Sequence, residues 1–119
     1  MIRVKWDIEE MVALCDLYLK NKKSLVLDMN SELLKLSTIL NKRADMLGIE
    51  HDDKFRNLSG LKMIMENIRF VDKQGKDGLA NTSNMACYIV YMSRVDKQRF
   101  YEILKDFYRK YGEWIGNGK

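Results

Sequence analysis

The chain has 119 residues, 46% of them hydrophobic, and no proline, which is the length and make-up of one globular domain rather than two. That apolar share argues against disorder, and no stretch reaches the ~18 uninterrupted apolar residues of a membrane helix. The net charge of +4 is uneven: residues 1–60 are balanced, whereas residues 61–119 hold eleven Lys/Arg against seven Asp/Glu, a pattern that suggests a basic face for an anionic partner.

The opening MIRVKWDIEE has no long apolar run behind its basic residues, so no signal peptide is expected and the protein is read as soluble and cytoplasmic. Asp7 followed by Glu10 is the pattern of a capping box, in which each side chain satisfies a backbone N–H of the first helical turn. Ile8, Met11, Val12, Cys15 and Leu19 then recur at helical spacing. Lys20, Lys22 and Lys23 close this helix at its negative end. Leu25, Val26 and Leu27 form a short apolar connector.

Asn30 or Ser31 is expected to cap a second helix, with Leu33, Leu36, Leu40 and Leu47 on one stripe and Gly48 as its stop. Residues 49–54 are polar. A third helix follows, capped by Asn57 or Ser59, with Leu61, Ile64, Met65, Ile68 and Val71 on its buried face. Gly75-Lys76-Asp77-Gly78 reads as a loop. Asn81 to Asn84 offer caps for a fourth helix through Met92, apolar on most faces and therefore expected at the centre of the fold. Its Tyr88–Met92 segment also has strand propensity. Asp96 caps a fifth helix carrying Phe100, Ile103, Leu104, Phe107, Tyr111 and Trp114. The expectation is a single all-α domain over residues 1–119, a small orthogonal bundle of about five helices.

The residues of a catalytic centre are missing. The one histidine, His51, stands beside Asp52 and Asp53, but adjacent side chains on a short loop do not converge on a metal. Cys15 and Cys87 are far apart and fit no ligand spacing; one disulfide between them is the alternative to the preferred reading, free buried thiols in a reducing cytosol. Gly75 to Gly78 has neither Walker nor GxGxxG spacing. No enzyme activity, metal or cofactor is expected. The methionines read mostly as core filler, and Trp6 and Trp114 as anchors of the two ends.

What stands out is a basic and aromatic cluster: Phe55, Arg56, Lys62, Arg69, Phe70, Lys73 and Lys76 within 22 residues. On the third helix Lys62, Glu66, Arg69 and Lys73 lie about one turn apart, off the apolar stripe. Such a row is suited to successive phosphates, although i,i+4 pairing such as Lys62 with Glu66 gives an ordinary solvated face the same look.

Phe55-Arg56-Asn57-Leu58-Ser59-Gly60-Leu61-Lys62-Met63, continuing through Asn67 to Asp72 and Gly78-Leu79, resembles a helical module at the N-terminus of many bacterial HNH-type endonucleases. Trp6, Glu9 or Glu10, and Leu36 to Leu40 agree with its earlier part, so the likeness spans about residues 6 to 80. Leu58 stands where that pattern has Pro, Ile64 where it has Lys, and Ile68 where it has an aromatic. With one histidine, the chain carries no HNH segment. The resemblance implies a DNA-associated specificity part whose nuclease centre lies elsewhere. Two functions follow from it as expectations. One is a non-catalytic DNA-binding accessory of a bacterial or phage restriction or defence system, using Arg56, Asn57, Lys62, Arg69, Lys73 and Lys76. The other is a phage-type inhibitor, anti-restriction or anti-CRISPR, that binds and blocks a bacterial nuclease. Many such inhibitors mimic DNA and are acidic, whereas this chain has a pI of about 9.0, which favours the first. Self-association is open on either reading, and no membrane partner is expected.

Overall fold

The protein is described here by a computed structural model covering residues 5–74 and 84–112. Five helices make up the described chain: α1 (Ile8–Lys22), α2 (Met29–Met46), α3 (Leu58–Gln74), α4 (Asn84–Val95) and α5 (Lys97–Tyr111). No strand occurs among the described residues. Tyr88–Met92 is helical, so its β-branched and aromatic content yields to the i, i+3 packing of Ala86, Ile89, Val90 and Met92 into the core.

The arrangement is a hub within a ring. α1 packs against each of the other four helices, and these close around it in chain order, α2 on α3, α3 on α4, α4 on α5 and α5 on α2. Every residue from Glu10 to Tyr18 is buried, which is the signature of a helix covered on all sides. The sequence pattern had pointed to α4 for this central place. α4 instead lies in the ring and turns Tyr88, Tyr91 and Val95 outward. The charges on α1 concealed its position: Glu10 and Asp16 are buried because Arg56 and Lys20 neutralise them at 2.8 and 3.0 Å.

The helix ends explain where the elements start and stop. Asp7 and Glu10 form the expected capping box, with Glu10 N donating to Asp7 Oδ1 at 3.0 Å and Asp7 N to Glu10 Oε1 at 3.1 Å. Asp96 caps α5 through Arg99 N. α2 begins earlier than expected, because Asp28 rather than Asn30 or Ser31 is its cap and accepts from Ser31 N at 3.2 Å. Past its end Gly48 takes φ +72°, and Ile49 N returns to Ala44 O at 2.8 Å, closing the helix with a left-handed residue as glycine permits. The remaining core includes Leu33, Leu36, Leu40, Leu61, Ile68, Phe100 and Phe107. Trp114, read as an end anchor, lies outside the described residues. No described helix is long and apolar enough to cross a membrane.

Candidate nucleic-acid interface

The two ends of α1 carry opposite charge arrangements, and the sequence-predicted basic residues divide between them. At the N-terminal end, the first-turn carboxylates meet cations brought by three other elements. Arg43 of α2 bonds Asp7 at 2.6 Å and Glu9 at 3.2 Å, Lys110 of α5 bonds Glu9 at 2.8 Å, and Arg56 of the α2–α3 loop pairs with Glu10. Acidic groups in a first turn also favour the helix macrodipole.

Arg56 is held on several sides. Nε and Nη2 donate to the two Glu10 oxygens at 2.8 and 2.9 Å, and Nη2 also to Lys5 O at 3.2 Å. The guanidinium lies 4.3 Å from the Trp6 ring centre and 4.4 Å from that of Phe55, a cation–π sandwich. Its backbone adopts φ +49°, a region costing a non-glycine residue about 1–2 kcal/mol. The turn is fixed from α2, where Ser37 Oγ donates to Arg56 O at 2.7 Å and Asn41 Nδ2 to Phe55 O at 3.0 Å. Asn57 then caps α3, its Oδ1 accepting from Gly60 N at 2.9 Å. A Cβ on Gly60 would sit 3.2 Å from that same oxygen, so the close approach here is by the capping carboxamide.

Of the six predicted contact residues, Arg56 and Asn57 are thus engaged in joining α1, the loop and α3. Lys62, Arg69 and Lys73 are exposed on α3. Lys62 precedes Lys73 by eleven positions, about 16 Å along the helix, so it lies apart from the other two. Arg69 pairs with Glu66 at 3.1 Å across one exposed turn. Lys76 lies outside the described residues.

Arg69 and Lys73 approach the C-terminal end of α1, where one carboxylate gathers several cations. Asp72 Oδ2 accepts from Tyr18 Oη at 2.6 Å and Lys22 Nζ at 2.7 Å, and Oδ1 from Arg94 Nη2. Arg94 also donates to Asp72 O at 2.8 Å, satisfying a carbonyl in the last turn of α3. Burial opposes the Asp72 charge, but the bonds from Lys22, Tyr18 and Arg94 outweigh it and lower its pKa from 3.8 to about 2. Burial, then the Asp72 acceptor, push the Tyr18 phenol upward, while nearby Arg69 acts against them. Burial also moves the Cys15 thiol up to about 12, so it is unreactive at neutral pH.

Above Asp72 opens a cleft of about 300 Å³ lined by Leu19, Lys22, Lys23, Asp72, Ser93, Arg94, Lys97 and Tyr101. Four cations face one already partnered carboxylate across it, with the Asp96 cap of α5 beside Lys97. Lys22, Lys23, Arg94 and Lys97 escaped the reading of the sequence because 75 residues separate the first from the last. The first two read as helix-closing charges, and only the packing of α4 and α5 on α1 brings in the others. A larger groove of about 450 Å³ between α2 and the 49–57 loop mixes Lys42 with Asp45 and Asp53 and has no such charge excess. Among the described residues no three His, Cys, Asp or Glu side chains are grouped to hold a metal. Comparison with protein-family models, with curated proteins and with solved structures finds no match for this chain.

Proposed function

We propose that this chain is a non-catalytic DNA-binding module, an accessory or specificity part of a bacterial or phage restriction or defence system. It engages phosphates with the basic end of its bundle. The observation that carries this reading is the convergence of Lys22, Lys23, Arg94 and Lys97 around one cleft, beside Arg69 and Lys73 of α3. Asp72 organises two of these side chains and α3 presents two more, so cations from four elements share one side of the molecule. Phosphate contacts of this kind give affinity and orientation without reading base sequence. The HNH-module resemblance supports a DNA role independently of this cluster. Arg56 drops out of the proposed contact set because its guanidinium is engaged within the fold, and Asn57 because its Oδ1 caps α3 at the other end of α1; Lys62 and Lys76 remain as proposed contacts.

The test is a salt-titrated binding measurement on labelled DNA. Affinity is expected to fall with a log–log slope of about −0.9 per duplex phosphate contacted. Lys73→Glu with Lys97→Glu, both on exposed positions without an ion-pair partner among the described residues, reverses two attractions and is expected to weaken binding at least tenfold while leaving the melting curve in place. Absence of DNA affinity at low salt overturns the proposal.

A second reading, a protein that binds and blocks a bacterial nuclease, is favoured by one separate feature. The α1–α2 connector exposes Leu25 and Leu27 to solvent, and exposed leucines in sequence suit a protein surface better than a phosphate backbone. Co-purification with a nuclease, lost on Leu25→Ser with Leu27→Ser, is the result this reading expects.

A further inference from the structure

Exposed tyrosines flank the basic cleft, and their placement bears on the form of nucleic acid it takes. Tyr101 lines the cleft beside Lys97 and is 46% exposed; Tyr91, 63% exposed, precedes Arg94 by one turn on the same face of α4. Residues three apart on a helix are neighbours, so Tyr91 stands next to the cation that α4 contributes. Tyr101 has an edge-on contact with the Phe100 ring, centres 5.3 Å apart, and its remaining exposure is available for stacking.

We infer that this end of the bundle binds single-stranded DNA, with a phosphate seated among Lys22, Lys23 and Lys97 and a neighbouring base stacked on Tyr101, Tyr91 serving the next base. The inference rests on the nucleic-acid reading above and adds the strand state. Three physical arguments support it. The cleft is concave and about 300 Å³, near the lower bound of roughly 300–1,000 Å³ for ligand pockets, which admits one unit of a single strand, whereas a duplex is a convex rod and meets only the rim. The faces of duplex bases are already covered by their neighbours in the stack, so an exposed phenol ring gains nothing from them. Single-strand sites combine cations that track the backbone with aromatic rings that take successive bases, and both occur here within one patch. Asp72 is no obstacle, since its oxygens are turned to Tyr18, Lys22 and Arg94.

The experiment is fluorescence anisotropy of the full chain with a labelled twelve-nucleotide oligo-dT and with a twelve-base-pair duplex at the same low salt. Oligo-dT is expected to bind at least tenfold tighter, with a salt slope of about −0.7 per phosphate contacted. Tyr101→Ala is expected to lower its affinity between about five- and 150-fold and to leave duplex binding unchanged. Tyr101→Phe keeps the ring and is expected to restore single-strand binding, which separates stacking from loss of fold. Equal or tighter duplex binding overturns the inference while the DNA proposal stands, as does oligo-dT affinity that is indifferent to Tyr101→Ala. Failure of both probes to bind overturns the two together.

Discussion

Glu10 and Arg56 form a two-point ion pair inside the protein, with the Glu10 side chain 2% and the Arg56 side chain 7% exposed. The pair bridges the central helix and the loop that precedes α3, and Trp6 and Phe55 close over its two faces. Removing one member leaves a buried charge without its counterion.

Arg56→Ala is therefore expected to cost about 3–5 kcal/mol, a large share of the roughly 5–15 kcal/mol that holds a domain together. Urea melts monitored by circular dichroism measure it. Replacing both members, Glu10→Leu with Arg56→Leu, removes the charge imbalance and is expected to melt closer to wild type than either single change. A single Arg56→Ala variant that melts with the wild type would contradict this placement.

How much of this was legible in the sequence varies from residue to residue. Caps are local, and Asp7, Glu10, Asn57, Asp96 and Gly48 each act within a few positions, so their roles were readable before the fold. The amphipathic stripes of α3 and α5 were equally plain, since burial repeats every turn. Long-range pairing left no such trace. Glu10 looks solvated until Arg56 arrives from 46 residues away, and for that reason the central place is read into α4, with its outward tyrosines, rather than α1. The same blindness split the basic cluster: nearness in sequence grouped Arg56 with Lys73, whereas folding sends one to each end of α1.

Asp72 supplies an acid-dependence. Its carboxyl titrates at about 2 in the folded protein against an ordinary 3.8, so the folded state favours the ionised form. The stabilisation is present above about pH 3.8 and is lost as the pH falls toward 2. Thermal melts of wild type between pH 5 and 2 are expected to decline more steeply than those of Asp72→Asn, which has no proton to take up at that position. The same variant takes away the charge that holds Lys22 and Arg94 in place, and at pH 7 it is expected to melt below the wild type.

His51 gives a second pH signature, at the α2–α3 loop. Its Nε2 lies 2.8 Å from Asp45 Oδ1 and its Nδ1 3.0 Å from Asp52 O. Only the doubly protonated ring donates to both. The Asp52 carbonyl first, and the Asp45 side chain second, raise its pKa above the ordinary 6.5. A raised histidine stabilises the fold fully below 6.5, and that contribution disappears as the pH rises through the folded value. Proton NMR of the imidazole is expected to show a midpoint above 6.5 that moves down on Asp45→Asn. A midpoint at or below 6.5 in the wild type contradicts the two-acceptor geometry.

The central claim, that DNA is met at the Asp72 end of α1, is tested most directly by titrating ¹⁵N-labelled protein with oligonucleotide and following its amide resonances. Shifts are expected to concentrate on Lys22, Lys23, Lys73, Arg94, Lys97 and Tyr101, to diminish as salt is added, and to leave Arg56 and its Glu10 partner still. Shifts centred on the 49–57 loop or on Leu25 to Leu27, or none at low salt, would contradict it.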